Sequence, residues 1–292
     1  MHPETKKLLS NCNVCPRRCG ANRMKGETGF CRSGSLPRVA SYNLHFGEEP
    51  PVSGTRGSGT IFFSNCNMRC IYCQNYPISQ FGVGNEVEIE KLADMMLSLQ
   101  SRGAHNINLV TPTHFVPQII EAIEIAKEIG LTIPIVYNTS GYESIETLHL
   151  LDGIVDIYLV DMRYSDNENG LRYSSCPDYV EVNRQAVLEM HHQVGSLILD
   201  EDGVAKKGVI VRLLVLPNGI SGTEDSLRFL FENIGDTVYI SLMSQYFPAY
   251  RSREFPLLSR RISAEEYDRA VEMLEVLGFE NGWVQPHLER SW

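Results

Sequence analysis

Three cysteines, Cys66, Cys70 and Cys73, follow one another at C-x3-C-x2-C spacing in the stretch Ser64-Asn65-Cys66-Asn67-Met68-Arg69-Cys70-Ile71-Tyr72-Cys73-Gln74-Asn75. Three thiolates this close can hold three corners of an iron–sulfur cube, whose usual complement of protein ligands is four. The fourth iron is then left without a local protein ligand. An open coordination position is what separates a reactive metal site from a sealed structural one, an argument made for zinc that carries over to other metals. A zinc knuckle would instead draw four ligands from two paired knuckles.

Four more cysteines form a second set nearer the N-terminus: Cys12, Cys15, Cys19 and Cys31, at C-x2-C-x3-C-x11-C spacing. Four thiolates can close a tetrahedral site, or carry a [4Fe–4S] cluster with every iron ligated. The surrounding stretch is short and poor in aliphatic residues, so it cannot build a core of its own, and a bound metal would supply its folding energy. Spacing leaves zinc and iron–sulfur open, with zinc or another structural metal placed slightly ahead. The set could serve as an electron relay or as a substrate-docking knuckle. The eighth cysteine, Cys176, stands alone and reads as a buried thiol.

The elements that must position these groups follow from apolar periodicity. Thr60–Phe63 reads as a strand, with the C-x3-C-x2-C loop at its C-terminal end. From there strands and helices alternate: helix over 89–102, strand 107–111, helix 116–129, strand 133–138, short helix 144–151, strand 154–161, helix 179–193, strand 208–216, helix 224–233, strand 237–243 and a last helix 264–277. Leu92, Met95, Met96 and Leu99 recur at helical spacing, so those methionines are core. Residues 196–199 form an extra strand joined to 208–216 through the Asp202-Gly203 turn. Six strand–helix units predict an α/β fold, a partial (β/α)6 TIM-like barrel with parallel strands and right-handed crossovers. The expected organisation is a Cys-rich metal-binding extension and wrapping loop over 1–58, the partial barrel over 59–250, and a C-terminal helix and tail over 251–292. Glu48 and Glu49, in the wrapping loop, read as solvated.

In parallel α/β architectures chemistry collects beyond the C-terminal ends of the strands. The groups placed there are the three cysteines, Thr111-Pro112-Thr113-His114, Asn138-Thr139-Ser140, Asp161-Met162-Arg163, Arg212 on the fifth strand, and Ser244-Gln245-Tyr246 after the sixth. Thr111, Thr113, Asn138 and Asp161 can accept hydrogen bonds, and Arg163 and Arg212 can grip a carboxylate in bidentate fashion. Tyr164, Tyr173, Gln245 and Tyr246 are candidates for the substrate side.

Over about residues 8–250 the sequence resembles the radical S-adenosylmethionine (SAM) superfamily, most closely the branch of the pyruvate formate-lyase activating enzyme and its relatives. The resemblance implies that Cys66, Cys70 and Cys73 hold a [4Fe–4S] cluster, that SAM chelates the open iron, and that Tyr72, the aromatic residue before the last cysteine, lies near the adenine. It further implies that Thr111, Thr113, Asn138, Asp161, Arg163 and Arg212 contact SAM. The family's Gly-Gly-Glu stretch, which meets the SAM amino group, falls on Pro112-Thr113-His114, so its acidic residue is missing. The acid of its third-strand motif becomes Asn138, its Asp-x-Lys becomes Asp161-Met162-Arg163, and its fifth-strand arginine is kept as Arg212. The implied activity is reductive cleavage of SAM to a 5′-deoxyadenosyl radical that takes hydrogen from a substrate, a glycine of a glycyl radical enzyme being the inherited candidate. Radical modification of another peptide or small molecule is the nearest alternative. A non-catalytic iron–sulfur carrier is the alternative from a different class, and the strand-end polar groups argue against it.

Bulk properties narrow the partners. The chain has 292 residues and a formal charge of −10 at pH 7, with a sequence pI near 5.3, which speaks against nucleic acid as a partner. No apolar run is long enough for a membrane span, and the N-terminus lacks a signal-peptide core. A cytoplasmic, reducing setting is therefore expected, in which eight cysteines suggest metal or redox chemistry rather than disulfides; the resemblance implies an anaerobic one. The implied partners are an external one-electron reductant such as flavodoxin or ferredoxin and a protein or peptide substrate.

Overall fold

The structure is a computed structural model and describes residues 1–286. Its strands in chain order are β1 (Arg38–His45), β2 (Ser58–Phe63), β3 (Asn85–Glu86), β4 (Ile107–Val110), β5 (Ile135–Thr139), β6 (Ile157–Asp161), β7 (Ile198–Leu199), β8 (Ala205–Leu214), β9 (Tyr239–Met243) and β10 (Gly282–Val284). They form one sheet in the order β10-β9-β8-β6-β5-β4-β2-β1-β3, with β7 paired on β8. From β2 to β10 every neighbour on this path is parallel, whereas β1 and β3 are antiparallel additions at one end. The path has two ends, so the barrel is open.

The expected helices are present as Ile89–Ser101, Val116–Ile129, Ile145–His149, Tyr179–Val194, Thr223–Asn233 and Ala264–Val276. The last begins with a complete capping box between Ser263 and Glu266, which satisfies two orphan N–H donors at once. Strand pleating splits the apolar residues into two layers. Ile61, Phe63, Leu109, Ile135, Tyr137, Tyr158, Val160, Val211 and Leu242 point outward into the large core beneath the helices. Val136, Ile157, Leu159 and Ile210 point inward and form a small plug with Val52 and Ala205. Two residues further along the same inner faces stand Asn138, Asp161 and Arg212, so a period of two carries each strand from apolar plug to polar mouth. No helix among the described residues is long and apolar enough to cross a membrane.

Three strands lie where the sequence reading placed none, the two-residue β3 among them. Residues 38–45 were expected in a wrapping loop; they form β1, which pairs along β2 through a bulge near Val39 and Ser41 and so covers that edge of the parallel sheet. Much of β1 is exposed, so its sequence lacks the apolar run that marks the buried strands. β10, expected as tail, is parallel to β9. Gly282 makes it possible: at φ 155° a Cβ there would lie 2.2 Å from the Ile240 carbonyl oxygen.

Candidate functional site

A cavity of about 360 Å³ opens at the C-terminal mouth of the barrel, lined by Cys66, Cys70 and Cys73 together with Thr111, Asn138, Asp161, Arg163 and Arg212. That size is within the usual range for a small-molecule site. A second cavity of about 180 Å³ shares Cys73, Asp161, Arg163 and Arg212 with it and adds Tyr72. Each cluster-loop sulfur has a donor at hand. The Met68 amide donates to Cys66 Sγ at 3.4 Å, Ser174 Oγ to Cys70 Sγ at 3.0 Å, and Ser79 Oγ lies 3.0 Å from Cys73 Sγ. Burial, joined by the neighbouring Cys70, pushes the Cys66 thiol up to about 12, and burial also raises Cys73. Because burial disfavours the thiolate at Cys66 and Cys73, a bound cation would be needed to favour it, and iron would supply that charge. The donor hydrogens then fall on thiolate sulfur, a contact that tunes cluster potential.

The polar mouth is one network. Asp161 and Arg212 are direct cross-strand partners; Arg212 Nε donates to Asp161 Oδ1 at 2.7 Å and Nη2 to Asn138 Oδ1 at 2.7 Å. Arg163 donates to the other oxygen of Asp161. Burial draws both guanidinium pKa values down, but Asp161 outweighs it and holds both groups protonated. Arg163 Nε is buried with no hydrogen-bond partner among the described residues. Tyr72, one residue before Cys73, is turned into a buried chain in which its hydroxyl lies 2.7 Å from that of Tyr164 and Tyr164 lies 2.7 Å from Ser174 Oγ.

Thr113 is not part of this mouth. It is buried and its hydroxyl donates to Glu143 Oε1 at 2.6 Å, so the expectation that it faces SAM is corrected by a competing buried carboxylate. His114 is likewise turned away and borders the N-terminal cysteines. Tyr164, Tyr173 and Tyr246 are buried, while Gln245 lines the cavity.

Glu48 and Glu49 correct the sequence reading in the other direction. Both line the cavity and neither is solvated: Glu48 Oε2 stands 3.6 Å from Arg212 Nη1, and Glu49 is 7% exposed. Glu49 Oε1 accepts from Ser241 Oγ at 3.0 Å, but Oε2 is buried with no hydrogen-bond partner among the described residues. Burial pushes Glu48 up despite Arg212. Nothing local in a Gly/Pro-rich loop marks these carboxylates as buried; the turn that folds residues 50–53 into the barrel base puts them there.

Glu143, also unread in the sequence, is buried against Thr113, Thr139 and Tyr137. Burial raises its pKa from 4.5 to about 7, against the three hydroxyl donors. A raised carboxyl pKa gives stability that is complete below pH 4.5 and lost as pH climbs through 7. The swing is about 3 kcal/mol at about 1.4 kcal/mol per pH unit. Glu143→Gln is therefore expected to flatten the fall in urea-unfolding stability between pH 5 and pH 8; an unchanged fall would show that Glu143 does not titrate there.

Comparison with known proteins agrees with this geometry. Residues 60–190 match the radical SAM superfamily, and the chain belongs to that superfamily. Uncharacterized protein MJ0674 of Methanocaldococcus jannaschii is 33% identical over 279 residues, covering 92% of this chain and 76% of that protein. MJ0808 of the same organism is 24% identical, covering 92% and 82%. Among solved structures, methylornithine synthase (PylB) superposes with a TM-score of 0.52 at 17% identity, over 77% of this chain and 63% of that one. Streptococcus suis SuiB bound to S-adenosylmethionine gives 0.50 at 12% identity, over 78% of this chain and 51% of that one. The chain thus spans about half to two thirds of these solved chains, and the likeness establishes the fold, a partial TIM-like barrel.

Proposed function

We propose that this protein binds a [4Fe–4S] cluster through Cys66, Cys70 and Cys73, binds SAM in the adjoining cavity, and abstracts hydrogen from a peptide substrate, with a backbone glycine of a partner enzyme as the inherited candidate. The observation that carries the reading is the convergence of three donor-supported cysteines and a buried Asp161–Arg163–Arg212 network on one 360 Å³ cavity. When bound, the cluster and SAM together supply the one-electron cleavage that gives the 5′-deoxyadenosyl radical.

The chain's own residues hold and orient. Arg163, with an unspent Nε, and Arg212 present cations to a carboxylate. Asp161 keeps both guanidinium planes fixed. The orphaned Oε2 of Glu49 and the adjacent Glu48 provide the acidic acceptor for an ammonium group that Pro112-Thr113-His114 does not supply. Thr111 and Asn138 offer acceptors for hydroxyls. SuiB, of like fold, was solved bound to SAM, which supports a SAM site at this mouth. An external low-potential carrier such as flavodoxin or ferredoxin, acting in an anaerobic cytoplasm, supplies the electron. The four N-terminal cysteines belong in the same reading as a second metal site.

The test is 5′-deoxyadenosine formation from SAM by the anaerobically reconstituted, reduced protein. Product is expected at a rate above that of free cluster in buffer. An intact four-iron cluster whose spectrum ignores SAM and which yields no product would overturn the assignment in favour of an electron carrier. With a candidate partner enzyme added, a glycyl EPR signal is the corresponding readout for substrate.

A further inference from the structure

We propose that the face built from Arg17, Arg32, Arg38 and Arg69 is the docking surface for an acidic one-electron carrier protein, which reaches the loop of Cys66, Cys70 and Cys73 from outside the cavity. The proposal rests on the reading of those three cysteines given above.

The first observation is a charge asymmetry. Residues 1–38 hold eight Lys and Arg against two Glu, a formal charge of +6, whereas the rest of the chain holds 18 against 34, or −16. Such an asymmetry steers a partner of complementary charge to one face and keeps it off the others.

The second observation is that positive charge converges on that face without counterions. Arg17 and Arg69 lie over the ring of Phe30, 3.8 and 4.4 Å from its centroid. Arg32 follows two residues later, and both it and Arg17 repel the Arg69 charge. Arg32 and Arg38 line one depression of about 240 Å³ together with Asn65, Phe81 and Glu86. Among the described residues none of the four arginines makes an ion pair, not even with Glu86. They donate instead to backbone carbonyls: Arg17 to Asn67, Arg38 to Gly82 and Arg69 to Cys66, each at 2.9 Å, and Arg32 to Gln80. Neutral carbonyls fix the guanidinium groups in place without neutralising them. Like charges held side by side repel one another, and carboxylates brought by a partner remove that cost with charge-assisted hydrogen bonds.

The third observation is where the face lies. Arg69 precedes Cys70, and Asn67 follows Cys66. Gln80, the acceptor for Arg32, follows Ser79, whose Oγ lies 3.0 Å from Cys73 Sγ. The depression shares no lining residue with the cavity that the three sulfurs border. A carrier on this face therefore meets the loop through its backbone and leaves the cavity to SAM and substrate. An apolar anchor stands beside the arginines. Phe81 is 63% exposed and meets Tyr76 and Tyr250 edge-on, with centroids 5.5 and 5.8 Å away. Aromatic residues and arginines together are the composition enriched at protein interfaces. Nucleic acid suits the face less well, because the charge of −16 on the rest of the chain repels phosphate. The balance is one electron: the carrier is oxidised by one and the cluster reduced by one, with no bond made or broken.

The test is calorimetric titration of the anaerobically reconstituted chain with an oxidised ferredoxin of strongly negative net charge. Binding is expected to weaken at least about tenfold as ionic strength rises from about 0.01 M to about 1 M, over which the screening length falls from about 30 Å to about 3 Å. Arg32→Gln/Arg38→Gln keeps donors for the Gln80 and Gly82 carbonyls but removes two charges, and is expected to weaken low-salt binding at least about tenfold. Arg32→Lys/Arg38→Lys restores the charges and is expected to recover most of the loss. Dithionite, which needs no docking, is expected to reduce the wild type and both variants alike. Binding that ignores both salt and the glutamine variant would overturn the surface. So would an RNA or DNA duplex that binds more tightly than the ferredoxin and is lost in the same variant. An iron assay and a SAM-shifted spectrum check the cluster on the same sample: their failure removes that reading and the docking role with it, whereas a failed titration removes the surface alone.

Discussion

Cys70→Ala is expected to abolish SAM cleavage, lowering 5′-deoxyadenosine formation by more than about 10²-fold, since loss of an outer-shell partner alone costs about 10- to 100-fold at metal sites. The thiol is 6% exposed and sits at the inner end of the Tyr72–Tyr164–Ser174 hydroxyl chain. On the function proposed above, alanine removes one of three iron ligands, and it leaves Ser174 Oγ with one acceptor fewer. The protein is then expected to lose about four irons, which colorimetric iron assay reads without any turnover. Ser174→Ala separates ligation from tuning: it removes only the hydrogen bond to sulfur, so the iron should stay and the effect should fall within about 100-fold. A Cys70→Ala protein that retains its iron and cleaves SAM at the wild-type rate would remove Cys70 from the site.

The legible parts of this protein are those where one local signal decides. The parallel strands and the long helices declare themselves because burial on both faces demands continuous apolar runs, as in Ile154 to Val160. The convergence of Cys66, Cys70 and Cys73 on one cavity is legible because three thiols so close in sequence cannot be far apart in space. The strand-end rule then places Thr111, Asn138, Asp161, Arg163 and Arg212 at one mouth, and the structure puts them there. What was not legible depends on partners far away in sequence. Glu48 and Glu49 look like solvated loop carboxylates until the turn after them meets the barrel base. Thr113 looks like a ligand group until Glu143, 30 residues on, takes its proton donor. β1 and β10 carry too little apolar sequence to be read as strands, because each is created by the edge it completes. His114 shows the same limit: its neighbours are cysteines more than eighty positions earlier.

Asp161→Ala tests whether the polar mouth is held by charge. Asp161 is 7% exposed and is the counterion for Arg163 and Arg212 together. Removing one partner of a buried pair costs about 3–5 kcal/mol because a charge is left uncompensated. Here the cost is lower, about 2–3 kcal/mol, since Arg163 keeps 24% side-chain exposure and exposed charge is cheap to leave unpaired. Arg212 also keeps Asn138 and Glu48. For a chain of this size that corresponds to a fall in Tm of about 4–12 °C, measurable on the protein without SAM. Asp161→Asn keeps the shape and an acceptor for Arg212 Nε but not the charge. If charge is what holds the mouth, Asn should lie near Ala rather than near wild type, and SAM should stabilise both variants less than it stabilises the native chain, because two loosened guanidinium groups meet its carboxylate. A Tm within about 1 °C of wild type for Asp161→Ala would mean that the two arginines are solvated at the cavity wall and need no counterion. In that case the cavity would be a wide, wet mouth in which the substrate side, not the strand ends, orients SAM.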